Sequence, residues 1–137
     1  MAEKYYLDTS IWMDYYEDRK DPSEDIGEYA FKLLCKLLAS KSRIIVSSFS
    51  LRELEVAYSL DTIRGLARPF EKQMEKVDVS EEQREEAKKI ADVRKVPKGD
   101  VLHAILARDN KAILISRDKH FQLLKDICEV AKPEDFI

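Results

Sequence analysis

Four acidic residues that lie far apart in the chain are its best candidates for chemistry. They are Asp8, Glu53, Asp100 and Asp118. Asp8 and Asp118 each follow a short apolar run that predicts a β-strand, whereas Glu53 and Asp100 lie near the starts of predicted helices. Ligand sites of open parallel sheets lie beyond the carboxyl ends of the strands, so we expect the four carboxylates to converge at that edge.

Carboxylates gathered in one place repel one another and need a counter-cation. Oxygen ligands without a paired His or Cys suit Mg²⁺ or Mn²⁺, which keep several waters and bind phosphate oxygens. Such an ion lowers the pKa of a bound water and neutralises charge on a phosphodiester during in-line attack. The pattern therefore predicts metal-dependent hydrolysis of phosphodiesters.

Residues beside the acids are secondary candidates. The hydroxyls of Ser10 and Ser116 could hold a metal-bound water, and Arg117 could position a phosphate. His103 and His120 are not expected to act as general bases, because neither has an obvious orienting partner in the sequence.

Each acid also has a purely structural explanation. Asp8 and Asp100 each stand where a helix is predicted to begin, and Asp is a common N-cap. Asp118 could be only a turn residue. Glu53 would be a surface residue if its helix were rotated, but it shares a helical stripe with the apolar residues Phe49, Val56, Ala57 and Leu60. We therefore expect Glu53 to face inward.

The hydrophobic pattern predicts strands that alternate with helices. Short apolar runs predict five strands, at 5–7, 43–47, 77–79, 112–116 and 127–131. Helical spacing and a capping box at Ser80 to Gln83 predict helices that include 26–38, 49–60, 80–94, 101–108 and 119–124. Strands that alternate with helices pair in parallel. We therefore predict a three-layer α/β/α sandwich with a mostly parallel sheet of about five strands.

Composition restricts the class of protein further. A length of 137 residues, with 45% hydrophobic and 37% charged residues, suits one soluble globular domain over 1–137. The net charge of −3 argues against non-specific binding of nucleic acid by a polycation, and three scattered glycines exclude phosphate-loop and dinucleotide fingerprints. No apolar stretch resembles a signal peptide or a membrane span, so we expect a cytoplasmic protein with no membrane partner.

Four short motifs resemble those of the PIN-domain ribonucleases. In chain order they are Leu7-Asp8-Thr9-Ser10-Ile11-Trp12, Leu51-Arg52-Glu53-Leu54, Asp100 followed by Ala104 and Ala107, and Ser116-Arg117-Asp118-Lys119-His120-Phe121. Their order and spacing match over nearly the whole chain. The resemblance implies that the four acidic positions bind Mg²⁺ or Mn²⁺ and that the protein cuts RNA. It also implies likeness to VapC-type toxins, which are usually dimeric and are neutralised by an antitoxin protein.

The leading hypothesis is a Mg²⁺- or Mn²⁺-dependent endoribonuclease with an RNA substrate. Its metal ligands, directly or through water, would be Asp8, Glu53, Asp100 and Asp118. The alternative is a PIN-fold module that binds protein or RNA without turnover. A receiver-like domain would need paired acids at the first strand end, and a haloacid-dehalogenase-type phosphatase would need an Asp in place of Ser10. Aromatic residues on the early helices favour a homodimer: Tyr15, Tyr16, Tyr29 and Phe31.

Overall fold

The fold is built on one parallel sheet, seen in a computed structural model that describes residues 3–137. Its strands are β1 (Lys4–Leu7), β2 (Arg43–Ser47), β3 (Met74–Val77), β4 (Ile113–Ile115) and β5 (Val130–Ala131). They lie in the order β3-β2-β1-β4-β5, and every neighbouring pair is parallel. The predicted parallel sheet of about five strands is confirmed.

Helices cover both faces of this sheet. The α-helices are α1 (Thr9–Glu17), α2 (Ile26–Ser40), α3 (Ser48–Ala57), α4 (Leu60–Ala67), α5 (Glu81–Arg94) and α6 (Lys98–Asp109). Short 3₁₀ helices span Arg68–Gln73, Lys119–Leu124 and Pro133–Phe136. None of the helices within residues 3–137 has the length and apolar character needed to cross a membrane.

Alternation along the strands gives the sheet two apolar cores. Tyr6 and Leu114 lie on the face covered by α5 and α6. Tyr5 and Leu7 lie on the opposite face, which packs against α1, α2 and α4. Because both faces are buried, the three inner strands β1, β2 and β4 carry nearly continuous apolar runs, as is typical of parallel sheets between helices. The edge strand β3 is less buried and includes Glu75 and Lys76.

The register of β1 and β4 sets the positions of the first and last acidic motifs. Leu7 pairs with Ile115, so Asp8 and Ser116 are the next residues on two neighbouring strands. The Asp8 N–H donates to the Ile115 carbonyl at 2.9 Å and extends this pairing by one step. The carboxyl ends of β1 and β4 therefore hold these two motifs side by side.

Some predicted boundaries differ from the structure. The strand predicted at 77–79 lies earlier in the chain, in β3, where pairing with β2 fixes it. The helix predicted at 49–60 ends earlier, at Ala57, because the Ser59 hydroxyl accepts a hydrogen bond from the Thr62 N–H and caps the next helix, α4. Helix α6 begins at Lys98, earlier than predicted.

Close packing at the start of α2 requires a glycine. A Cβ atom on Gly27 would lie 2.6 Å from Asp18 Cα and 2.7 Å from the Arg19 nitrogen. The Gly27 N–H also donates to the Arg19 carbonyl at 2.8 Å. Because the clashing atoms belong to the backbone, they cannot turn away as a side chain could. The approach of α2 to the end of α1 therefore depends on this glycine.

We expect Gly27→Ala to lower the free energy of unfolding by about 1–3 kcal/mol, the usual range for overpacking. Gly65→Ala is the matched control, because among the described residues no atom lies within 4 Å of its added Cβ. Alanine within α4 should leave stability unchanged or raise it by up to about 1 kcal/mol. Urea unfolding checks both variants, and equal stabilities would contradict the packing role of Gly27.

Candidate metal centre

An open cavity of about 530 Å³ lies at the carboxyl edge of the sheet and collects the predicted acids. Strand β1 leads to Asp8, strand β4 leads to Asp118, and helices α3 and α6 carry Glu53 and Asp100. All four side chains line this cavity. The structure thus brings the four acids together, while their role as metal ligands stays a prediction.

Asp8 is a buried carboxylate held by two serines. Its Oδ2 accepts hydrogen bonds from Ser10 Oγ at 2.8 Å and from Ser116 Oγ at 2.9 Å. Within residues 3–137, its side chain makes no capping hydrogen bond to α1. An N-cap role therefore does not explain this aspartate, and the predicted secondary residues Ser10 and Ser116 orient it.

Glu53 is held by a chain of hydrogen bonds that reaches into the core. Its Oε1 accepts a hydrogen bond from Thr9 Oγ1 at 2.6 Å and lies 2.7 Å from His103 Nε2. The imidazole is buried, and its Nδ1 lies 2.6 Å from the Tyr6 hydroxyl. That hydroxyl lies 2.7 Å from Ser47 Oγ. We assign the tautomer in which Tyr6 donates to Nδ1 and Nε2 donates to Glu53.

The environment of Glu53 favours its charged form. Burial raises the pKa of Glu53, but the hydrogen bonds from His103 and Thr9 outweigh burial and hold this pKa below its ordinary value. The apolar stripe that predicted an inward Glu53 is only partly buried. Phe49 packs against the core, but Val56 is 90% exposed and Leu60 is 56% exposed. The buried residues of helix α3 are Ser50 and Leu54, and Glu53 is half-buried beside Leu54.

Asp100 and Asp118 both lie next to His120. The imidazole Nδ1 is 3.2 Å from Asp100 Oδ2 and 3.1 Å from Asp118 Oδ1. The N-cap of α6 is Pro97, so the capping explanation for Asp100 is wrong. Asp118 does cap the next 3₁₀ helix, because its Oδ1 accepts from the His120 N–H at 2.9 Å. Burial and the charges of Asp118 and Asp8 raise the pKa of Asp100.

The sequence did not predict the roles of three residues in or near the cavity, His103, His120 and Asp14. The expectation that neither histidine has an orienting partner was wrong for His103, whose ring nitrogens contact Tyr6 and Glu53. The Nδ1 of His120 lies beside two carboxylates but has no hydrogen-bond partner among the described residues. A signal was present for His103, which follows Asp100 by three residues and so shares its helix face. Asp14 also lines the cavity. Burial raises the pKa of Asp14, against the opposing charge of Arg19, whose Nη1 lies 3.5 Å away.

Arg117 lines the cavity, but its guanidinium is already engaged. Its Nη2 donates to Glu24 Oε2 at 2.8 Å, and its Nη1 donates to Glu134. Its Cζ lies 5.7 Å from the centre of the Tyr29 ring. These contacts join the segment before α2 to the C-terminal 3₁₀ helix, so a phosphate would compete with two carboxylates. Positioning of phosphate by Arg117 stays a prediction.

The donors in this cavity fit a divalent cation. Carboxylate oxygens are the ligands that Mg²⁺ and Mn²⁺ prefer. Burial first, and then the negative charges of Asp118 and Asp8, raise the pKa of Asp100. One oxygen each from Asp100 and Asp118 and a ring nitrogen of His120 lie within 4.8 Å of one another. A cation among these atoms would balance that charge.

Comparison with known proteins identifies the family. The profile of the PIN domain family matches residues 5–127. The chain belongs to the PIN domain family. The resemblance inferred from the four motifs is therefore confirmed.

Solved structures share this PIN fold at low sequence identity. VapBC2 from Rickettsia felis, bound to a DNA fragment from its promoter, is 17% identical, with a TM-score of 0.68 over 94% of this chain and 98% of that chain. VapBC-1 from nontypeable Haemophilus influenzae is 19% identical, with a TM-score of 0.67 over 96% and 98%. A toxin–antitoxin complex from Klebsiella pneumoniae is 19% identical, with a TM-score of 0.65 over 94% and 97%. Among curated proteins, no sequence matches this PIN domain.

The opposite pKa shifts of Asp100 and Glu53 predict opposite effects on stability in the metal-free PIN domain. A carboxyl with a raised folded-state pKa loses stability as pH rises from its unfolded pKa of about 4 through the folded value. Asp100→Asn should therefore raise the free energy of unfolding at pH 7. A carboxyl with a lowered pKa stabilises the fold above its unfolded pKa, so Glu53→Gln should lower that free energy.

Urea unfolding in EDTA at pH 7 and near pH 3 measures both effects. We expect both differences from wild type to shrink at the lower pH, where the carboxyls take up protons. A loss of stability at pH 7 in Asp100→Asn would show that this carboxylate is not under repulsion.

Proposed function

We propose that this PIN-domain protein is a Mg²⁺- or Mn²⁺-dependent endoribonuclease, carried by a single domain over residues 1–137. The observation that carries the proposal is the convergence of four carboxylates in one open cavity at the carboxyl edge of the sheet. Membership of the PIN family, whose members are generally nucleases, supports it.

The proposed metal ligands, directly or through water, are Asp8, Glu53, Asp100 and Asp118. A divalent ion bound there would lower the pKa of water and neutralise charge on a phosphodiester. The hydroxyls of Ser10 and Ser116 hold the carboxylate of Asp8 in place. Thr9 and His103 do the same for Glu53. Because these groups are fixed in the folded chain, little reorganisation is needed when charge develops on the substrate.

Contacts to the RNA backbone are assigned to lysines that are close in sequence to the acids of the cavity. Lys98 and Lys119 are exposed, and each lies close in sequence to one of the four acids. Lysines bind phosphate without reading sequence. With a net charge of −3 over the whole chain, RNA binding would depend on such local cations.

The protein is proposed to act as the toxin of a toxin–antitoxin pair, with an antitoxin protein as its partner. The support is that several solved structures of this fold are toxin–antitoxin complexes. A cytoplasmic location follows from this role, because the RNA and the antitoxin would be met there.

We expect Asp8→Asn and Asp118→Asn each to lower metal-dependent RNA cleavage by at least about a hundredfold, since each removes a charge used in the hydrolytic step. RNA binding should persist, because phosphate contacts come from other residues. The measurement is cleavage of labelled RNA with Mn²⁺ or Mg²⁺, beside a filter-binding assay.

Asp92→Asn is the matched control for these variants, because Asp92 is an exposed aspartate on α5 and does not line the cavity. Full activity in Asp8→Asn would refute the site, and equal cleavage in EDTA would refute the metal dependence. Tight RNA binding by a wild type that never cleaves would favour the alternative, a PIN-fold binding module.

A homodimer is proposed for the aromatic surface formed by α1 and α2. Tyr16 and Phe31 are 51% and 52% exposed. The Phe31 ring stacks on Tyr15, with ring centres 6.2 Å apart and planes 4° from parallel. Large exposed aromatic side chains on neighbouring helices are typical of an interface between copies.

Light scattering of wild type at micromolar concentration should give twice the monomer mass of 16.0 kDa. Phe31→Lys should shift the protein towards monomer, because it places a charge in the contact. Val93→Lys is the control, since Val93 is 82% exposed on α5, in the other helical layer. A monomeric wild type would contradict the proposal.

A further inference from the structure

His120 has a ring nitrogen beside two acids of the cavity. We propose that this nitrogen is a metal ligand together with Asp100 and Asp118, so that the centre prefers a transition-metal dication such as Mn²⁺ over Mg²⁺. The inference rests on the proposed function, since it requires an ion in this cavity.

The spacing of the donor atoms suits one ion. The Nδ1 of His120 lies 3.2 Å from Asp100 Oδ2 and 3.1 Å from Asp118 Oδ1. Neighbouring ligands at right angles around an ion, each about 2.1 Å from it, lie about 3.0 Å apart. Both nitrogen–oxygen distances are therefore close to those of adjacent ligands on one octahedral ion.

The same nitrogen lacks a hydrogen bond. Nδ1 of His120 is buried and, among the described residues, has no hydrogen-bond partner, although two carboxylate oxygens lie near it. Buried polar atoms are nearly always satisfied by protein, water or an ion. The rest of the imidazole is accessible, since the side chain is 43% exposed. An ion bound by the two acids would satisfy this nitrogen.

The backbone, rather than the ring, holds His120 in this position. The His120 N–H donates to Asp118 Oδ1 at 2.9 Å, and the Asp118 N–H donates to Ser116 Oγ at 3.0 Å. The next residue, Phe121, is fully buried and anchors the turn in the core. Replacing the imidazole should leave this turn intact, which makes the side chain a clean target for substitution.

The donor types decide which ion is preferred. Carboxylate and water oxygens suit Mg²⁺ and Mn²⁺ alike, whereas imidazole nitrogen favours first-row transition metals over Mg²⁺. A centre made only of the four acids would distinguish the two ions weakly. A centre that includes His120 should bind Mn²⁺ more tightly than Mg²⁺.

Pulsed electron paramagnetic resonance of bound Mn²⁺, with titration calorimetry of Mn²⁺ and Mg²⁺, tests this on the untagged full chain. Wild type should show the ¹⁴N modulation of a directly bound imidazole. His120→Gln should lose that modulation and at least about tenfold in Mn²⁺ affinity, while Mg²⁺ affinity changes little. Gln122→Ala, an exposed change in the same 3₁₀ helix, should behave as wild type.

The outcomes separate this inference from the proposed function. Mn²⁺ binding to wild type without ¹⁴N modulation would overturn the inference and leave the nuclease proposal standing. Modulation that persists in His120→Gln would assign the nitrogen to His103, the chain's other histidine, and would also overturn it. If wild type bound neither ion, the metal-dependent function would fail, and the inference with it.

Discussion

Negative charge held at one edge of the sheet is the constraint on which the site depends. The carboxylates of Asp8 and Glu53 accept hydrogen bonds from hydroxyls and from one imidazole, rather than from Lys or Arg. Among the described residues that line the cavity, the basic one is Arg117, which is paired with Glu24 and Glu134. The fold thus orients the acids without neutralising them, as a cation site requires.

The core and the site share residues through one polar chain. Tyr6 on the central strand packs in the apolar core, yet its hydroxyl contacts Ser47 and the imidazole of His103. The other imidazole nitrogen contacts Glu53 at the surface of the cavity. Because every member has a partner, the network fixes the orientation of Glu53 without leaving an unpaired buried group. The position of this ligand candidate therefore depends on packing deep in the sheet.

Local sequence signals predicted the elements, and the elements predicted the convergence of the acids. Asp8 and Asp118 follow strand ends, so parallel pairing alone brings them to one edge. The partners of His103 could not be predicted, because Tyr6 and Glu53 are 97 and 50 residues away and meet it only in the tertiary fold. The prediction of which face of α3 is buried was wrong for a related reason. An apolar residue at helical spacing, such as Val56, predicts burial only if another element covers it.

The two histidines show how hydrogen bonding decides which side chain is free for a ligand. His103 is 2% exposed and both its nitrogens have partners, so binding an ion would break the network that holds Glu53. The imidazole of His120 is partly exposed, and its Nδ1 has no hydrogen bond to lose among residues 3–137. His103 is therefore suited to positioning the carboxylate of Glu53, and His120 is suited to binding a metal ion beside the acids. Both residues are histidines close to acids, so residue type and distance do not distinguish the two roles. What distinguishes them is whether the ring nitrogens already have hydrogen-bond partners.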